Sequence, residues 1–164
     1  MHSAHFFYTR AGLNDFPLYF RLTGHPEVMR FVSGRPLTRR EAQKRFETTI
    51  GVPGPEGCGL YFARVTGTEE LAGLAKLIMT GEGTAELGYS LFPAFWGRGY
   101  GSEICGFLAD LARSIGEIHT LVAITDPENV PSERILEKSG FRPVFTGVID
   151  GLPGREWKLE LKPA

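Results

Sequence analysis

The spacing of apolar residues changes several times along the chain, and each spacing predicts a different element. Three apolar runs, LYFARV (60–65), LAGLAKLIMT (71–80) and AELGYSLF (85–92), are separated by the short turns TGTEE and GEGT. Runs of this length bounded by glycine and polar residues are typical of β-strands joined by tight turns. The middle of the chain is therefore predicted to form three consecutive strands.

A helical spacing follows the third strand. Between residues 102 and 115 the apolar residues recur three and four positions apart, which places them on one face of a helix. The β-branched run HTLVAIT (119–125) then predicts a buried strand. A second helix is predicted in ENVPSERILEKSGF, because Asn129 can cap its start and Gly140 suits the left-handed position after its end.

The first fifty residues are predicted to be mainly helical. One helix starts near Asn14 or Asp15, and HPEVMRF forms a short one after it. Thr38 and Glu41 have the three-residue separation of a capping box, which predicts a further helix from this point.

The end of the chain predicts a hairpin, because PVFTGVI and REWKLEL flank the turn sequence DGLPG. The predicted order is β-α-α-β-β-β-α-β-α-β-β, a mixed α/β fold built on one central sheet. No linker or repeat interrupts the 164 residues, so residues 1–164 are expected to form a single domain.

Composition narrows the class of protein. Apolar content of 42% and charged content of 23% are ordinary for a soluble domain, and no apolar run predicts a signal peptide or membrane span. The two cysteines, Cys58 and Cys105, lack the number and spacing of a disulfide framework or metal site, so we expect reduced thiols, no metal and a cytoplasmic location.

Net charge argues against some partners. At −1 it favours neither nucleic acid nor an anionic membrane. Residues 1–50 nevertheless carry eight Lys/Arg against four Asp/Glu, with the excess concentrated in 35–45. This stretch is interpreted as a solvated helix face, with an acidic partner as the alternative.

The segment WGRGYGSE (96–103) is the main candidate for ligand binding. Alternating glycines allow sharp turns and close approach of backbone N–H groups, and the following helix adds unpaired N–H groups at its positive end. Such a loop suits a phosphate or pyrophosphate, with a simple strand-to-helix connection as the alternative. The sequence lacks GxxxxGK, and counting three glycines as GxGxxG ends on Ser102 or Ile104, so neither common nucleotide fingerprint is present.

The segments AELGYSLFPAFWGRGYGSE and, 28 residues after Gly101, NVPSERILEKSGF resemble the GNAT family of acyl-CoA-dependent N-acetyltransferases. TGHPEVMRFVSGRPLTRREA resembles the N-terminal half of the subgroup that contains ribosomal-protein N-terminal acetyltransferases. The resemblance covers nearly the whole chain. It implies one domain whose mostly antiparallel sheet of six or seven strands splays between strands four and five, flanked by about four helices.

The resemblance also implies acetyl-CoA as co-substrate. The family's phosphate loop begins with Gln or Arg, where this chain has tryptophan, and its N–H groups bind the coenzyme A pyrophosphate. Arg98 adds a charge-assisted contact in this interpretation, or is a solvated loop residue. The implied loop residues are Trp96, Gly97, Arg98, Gly99, Tyr100, Gly101 and Ser102.

Pantetheine binds in this family like an extra strand at the splay, which implies Leu91 and Phe92 as backbone partners and one of their N–H groups as the oxyanion donor. Glu86, a carboxylate within an apolar strand, is the candidate general base, unless it only faces solvent. The resemblance further implies that Asn129 holds pantetheine and that Ser132 lies near the sulfur; as the alternative, both only cap a helix.

The residue that would protonate the leaving thiolate differs from the one common in the family. Many relatives use the tyrosine of Tyr-Glu-Lys-x-Gly-Phe, but Leu136 stands at that position here. Ser132 is therefore the predicted donor, with Tyr89 and Tyr100 as alternatives.

The resemblance as a whole implies an acetyltransferase that acts by direct attack in a ternary complex on a protein N-terminus or small amine. The resemblance also makes a homodimer plausible. A catalytically inactive CoA-binding or sensor module and a general nucleotide-binding domain are the alternatives.

Overall fold

The three predicted middle strands form the centre of a seven-stranded sheet in the computed structural model, which describes residues 1–162. β2 (Gly59–Val65), β3 (Leu71–Gly81) and β4 (Thr84–Leu91) pair antiparallel in succession. β1 (Phe6–Arg10) pairs antiparallel with β2 at the outer edge. These strands make up the first half of the sheet.

The other half of the sheet comes from the C-terminal third of the chain. It contains β5 (Thr120–Thr125), β6 (Arg142–Ile149) and β7 (Leu152–Glu160), in the spatial order β5-β7-β6. β7 pairs antiparallel with both neighbours, so the predicted hairpin is present and leaves β6 as an edge strand. The mixed α/β class and the seven-stranded sheet are thus confirmed.

The two halves meet at the parallel pair β4 and β5. Pairing runs only from Thr84 opposite Thr120 to Glu86 opposite Val122. Both strands then continue, to Leu91 and Thr125, without pairing to each other. The sheet therefore splits toward the carboxyl ends of these two strands, as the resemblance implied.

Five α-helices flank the sheet, where the resemblance implied about four, and one of them is the short helix that the sequence predicted in HPEVMRF. The N-terminal three are packed against one face of the sheet, and the later two cover the other face. None of the helices within residues 1–162 has the length and apolarity to cross a membrane. The helices are α1 (Phe16–Thr23), α2 (Pro26–Met29), α3 (Arg39–Ile50), α4 (Tyr100–Ser114) and α5 (Val130–Lys138).

Two hydrophobic cores result from the alternation of side chains along the strands. Phe62 and Leu74 point toward α1 and α3, where they meet Phe46. Their strand neighbours Tyr61 and Ala75 point the other way, into the larger core beneath α4. Alternate residues of one strand therefore serve different cores.

The predicted helix caps are confirmed. The Thr38 hydroxyl accepts from the Glu41 N–H at 3.3 Å, and the Glu41 carboxylate accepts from the Thr38 N–H at 2.8 Å. At α5, Asn129 accepts from the Ser132 N–H at 3.4 Å. Gly140 has φ of 91° after this helix. Local sequence therefore determines where α3 and α5 begin.

Candidate active site

The glycine-rich segment forms a loop that leads directly into α4. Gly97 and Gly99 have φ of 70° and 79°, in the left-handed region that favours glycine. A Cβ atom at either position would meet nothing within 4 Å. Glycine is therefore required here for backbone conformation rather than for lack of space. α4 begins at Tyr100, two residues before the start near Ser102 that the sequence indicated.

This loop presents a row of unpaired donors. Within residues 1–162, the six N–H groups from 97 to 102 donate to no protein acceptor, whereas the next, that of Glu103, donates to the Gly99 carbonyl at 3.1 Å. Arg98 is exposed and forms no ion pair with any residue from 1 to 162. Consecutive N–H groups at a helix start, beside a free guanidinium, fit a pyrophosphate.

Trp96 contacts the end of β4 rather than the N–H row. Its indole N–H donates to the Leu91 carbonyl at 2.8 Å, while 48% of the residue's surface stays exposed. This contact was not apparent from the sequence, because it depends on how the loop turns back toward the strand. It connects the start of the glycine-rich loop to the last residue of β4.

The backbone at the end of β4 is held in a fixed orientation. The peptide between Leu91 and Phe92 is bound on both sides, because the Phe92 N–H donates to the Ala72 carbonyl at 2.9 Å. Successive peptides of a strand point to opposite sides. The Leu91 N–H therefore faces away from β3, toward the split, and the Phe92 N–H does not.

Glu86 forms an ion pair on the floor of a cleft. Its Oε1 atom lies 2.7 Å from the Nζ atom of Lys76, and the two side chains are 24% and 31% exposed. Lys76 is paired in register with Gly88, where a Cβ atom would lie 2.6 Å from Cε of Lys76. The absence of a side chain at Gly88 thus lets Lys76 extend along β4 to Glu86.

Lys76 was missed in the sequence, although a lone charge within the apolar run LAGLAKLIMT was a signal. The cleft above the pair has a volume of about 560 Å³. One wall comes from α1 to α3, including Tyr19 and Arg45, and the other from the β6–β7 turn, including Asp150. The cleft is therefore large enough for a small molecule or a chain end.

Ser132 lies in the first turn of α5, partly exposed, three residues after the capping Asn129. Tyr89 approaches from β4, and its hydroxyl is buried without a hydrogen-bond partner among the described residues, 1–162. Burial raises the pKa of the Tyr89 phenol, the nearby Cys105 adds to the rise, and the Ser132 hydroxyl offsets part of it. Ser132 thus borders the phenol but, outside hydrogen-bonding geometry, does not satisfy it.

The predicted residues fall into two groups. The glycine-rich loop follows β4 and Asn129 follows β5, so both lie toward the carboxyl ends of the parallel pair, where ligands bind in open α/β sheets. Glu86 lies at the other end of the split, at the last paired position. No cluster of three or more potential metal ligands occurs within residues 1–162.

A family model described as an acetyltransferase (GNAT) domain matches residues 8–142. The chain belongs to the GNAT acetyltransferase family. The chain is also 27% identical to an uncharacterized N-acetyltransferase, p20, of Bacillus licheniformis. The match extends over 133 residues and covers 79% of this chain and 75% of that protein. The resemblance inferred from the glycine loop and the Asn129 segment is thus confirmed at the level of the family.

Solved structures share the fold of this GNAT protein. An acetyltransferase from Agrobacterium tumefaciens superposes with a TM-score of 0.82 at 21% identity, over 98% of this chain and 94% of that one. Spermidine N-acetyltransferase from Vibrio cholerae, solved with CoA and spermine, gives 0.77 at 16% identity, over 96% of each chain. At these identities the likeness concerns the fold alone.

Proposed function

We propose that this GNAT protein transfers the acetyl group of acetyl-CoA to a primary amine by direct attack in a ternary complex. The observation that carries the proposal is the split between β4 and β5, with the unpaired N–H groups of residues 97–102 following β4. The name of the p20 relative supports an N-acetyltransferase activity.

We assign the contacts to acetyl-CoA mainly to N–H groups that donate to no protein acceptor within residues 1–162. N–H groups from Gly97 to Ser102 hold the pyrophosphate, and Arg98 adds a charged donor. Asn129 and the β4 backbone hold the pantetheine arm. The Leu91 N–H donates to the oxyanion of the tetrahedral intermediate, because the Phe92 N–H is already bonded to Ala72.

Proton transfers are assigned to two side chains. Glu86, held by Lys76 on the cleft floor, accepts a proton from the amine through water. When the tetrahedral intermediate collapses, the carbon–sulfur bond breaks and its electron pair stays on sulfur. Ser132 gives its hydroxyl proton to that sulfur, and the proton that Glu86 took from the amine returns through cleft water to Ser132, which restores both residues.

Kinetics of Glu86→Gln and Ser132→Ala across pH test these roles. We expect kcat to fall by about 10²- to 10⁴-fold in Glu86→Gln and by a smaller factor in Ser132→Ala, since general acid–base groups contribute on that scale. Glu160→Gln is the matched control, because Glu160 pairs with Lys158 at 2.7 Å on β7, away from the cleft. Wild-type rates and pH profiles in both site variants would refute the assignments.

The acceptor is either a protein N-terminus or a small amine, as in the ribosomal-protein-modifying subgroup that the sequence resembles. A panel of peptides and small amines with detection of released thiol distinguishes these classes. Tight acetyl-CoA binding without transfer to any amine would instead favour a non-catalytic CoA-binding module.

We also propose a homodimer formed through β6. This strand is at the edge of the sheet and exposes three apolar side chains, Val144, Phe145 and Val148, by 53%, 51% and 73%. An exposed apolar edge strand favours pairing with another chain. A second copy presents the same strand, so the contact can be symmetric.

A further inference from the structure

Within residues 1–162, the buried Tyr89 hydroxyl lacks the hydrogen-bond partner that buried polar groups normally have. A buried hydroxyl without a hydrogen bond destabilises the folded state, and native structures contain few of them. Glu86 and Gly88 lie on the face of the sheet that borders the cleft, next to Lys76. Tyr89 lies on the opposite face and is packed against the core beneath α4. Its hydroxyl is thus directed between α4 and α5, and the unpaired state requires an explanation.

The position of the Tyr89 ring is fixed by its neighbours. A Cβ atom on Gly101 would lie 3.4 Å from Cε2 of Tyr89 and 2.8 Å from Cδ1 of Ile135. The ring therefore lies directly below the first turn of α4, in the space left by this glycine. A side chain held in this way keeps its hydroxyl at a constant place relative to α5.

Of its two polar neighbours, Ser132 is the stronger hydrogen-bond acceptor, because the sulfur of Cys105 accepts only weakly. The Cys105 thiol already donates to the Ser139 hydroxyl at 3.5 Å. The Ser132 hydroxyl forms no hydrogen bond within residues 1–162 and is partly exposed. Rotation about a single side-chain bond of Ser132 changes its distance to the phenol, whereas the phenol itself is held in place.

We infer that Tyr89 is a positioning residue for Ser132: its hydroxyl donates to Oγ of Ser132 and thereby directs the Ser132 proton toward the sulfur of coenzyme A. The inference rests on the proposed transfer reaction. Tyr89 keeps its own proton throughout, because burial disfavours the phenolate. The proton that reaches sulfur still comes from Ser132, and only its orientation depends on Tyr89.

A double-mutant cycle tests the inference with Tyr89→Phe, Ser132→Ala and the double variant. We expect Tyr89→Phe to lower kcat by about tenfold with an unchanged KM for acetyl-CoA, the scale of coupling between contacting residues. In the Ser132→Ala background the same change is expected to alter kcat by less than about twofold. Measured without coenzyme A, the melting temperature of Tyr89→Phe should equal or exceed that of the wild type, because the hydroxyl that is removed is unpaired in the ligand-free protein.

Tyr61→Phe is the matched control, because the Tyr61 hydroxyl donates to the Gly57 carbonyl at 2.6 Å, outside the cleft. It should lower the melting temperature and leave kcat unchanged. Wild-type kcat in Tyr89→Phe, or independent effects of Tyr89 and Ser132, would overturn the inference while leaving the proposed function intact. A wild-type protein that transfers no acetyl group to the amine panel would overturn both.

Discussion

Gly73 allows β3 and β4 to approach closely where the proposed oxyanion donor lies. A Cβ atom at Gly73 would lie 2.1 Å from the Ser90 carbonyl oxygen and 2.9 Å from Cδ2 of Leu91. The obstructing carbonyl is backbone, so it cannot move without displacing the strand. The orientation of the Leu91 N–H therefore depends on a residue on the neighbouring strand.

Gly73→Ala is expected to destabilise the protein by about 1–3 kcal/mol, the usual cost of forcing atoms into a packed interior. Chemical denaturation measures the effect. Gly106→Ala is the matched control: Gly106 lies within α4 with nothing within 4 Å of its Cβ position, so it should gain up to about 1 kcal/mol from helix propensity. Equal stability of the two variants would contradict this account of the strand contact.

Glu41 gives the capping box of α3 a pH dependence. Hydrogen bonds from Arg35 and from the backbone and side chain of Thr38 lower its pKa from 4.5 to about 2. Because the folded-state pKa is the lower one, the carboxylate stabilises the fold above the unfolded pKa, and this contribution disappears as pH falls from 4.5 toward 2.

Glu41→Gln should therefore be less stable than the wild type at pH 7, and the difference should shrink as the pH falls through that window. Urea denaturation at several pH values follows the two proteins. Glu47→Gln on the same helix, outside the cap, serves as the control. A difference that stays constant between pH 7 and pH 2.5 would rule out the carboxylate as its source.

At the scale of elements, the two edges of β4 differ in their hydrogen bonding after Glu86. One edge pairs with β3, and the other faces the split, where the Tyr89 and Leu91 N–H groups have no strand partner among residues 1–162. A bound pantetheine arm would accept from this second edge in the manner of an added strand.

Hydrogen exchange should therefore distinguish alternate residues of one strand. Without coenzyme A we expect the Tyr89 and Leu91 amides to exchange faster than those of Gly88 and Ser90, which face β3. Saturating coenzyme A should slow the first pair and leave the second nearly unchanged, as measured by NMR. Equal protection of all four amides by coenzyme A would point to general stabilisation instead of strand-like binding.

Local pattern predicted the elements well, but not the contacts between them. The spacing of apolar residues predicted the ends of β2, β3 and β4 to within about two residues, and the capping residues predicted where α3 and α5 begin. The Lys76–Glu86 pair depends on strand register, and the Trp96–Leu91 bond depends on a loop that folds back. Such contacts join residues whose relation is determined only by the folded chain, so one sequence does not reveal them.

At the scale of the whole molecule, β6 and β1 end the sheet differently. His2 forms a bridge with Phe7, so the segment before β1 folds back at that edge, whereas β7 is the only strand beside β6 in the described part of the chain. The β6 edge is thus the one available to a second copy of the chain.

Val148→Asp should convert the proposed dimer to a monomer, because it places a charge at the most exposed of the three apolar positions on β6. Sedimentation velocity measures the change. Leu13→Asp, at a residue that is 79% exposed but distant from β6 in sequence and sheet order, should remain dimeric. A monomeric wild-type protein at all accessible concentrations would refute the dimer.

The short parallel contact between β4 and β5 joins the two halves of the sheet, so it sets the angle at which these strands separate. From Glu86 to Leu91 the part of β4 that is not paired with β5 spans five residues, or about 17 Å at the rise of a strand. Two proteins that differ by about 5° in this angle would differ by roughly 1.5 Å in the separation of the strands at the level of Leu91. We therefore expect substitutions at Thr84 or Thr120, remote from every proposed catalytic atom, to change which acyl chain lengths the protein accepts.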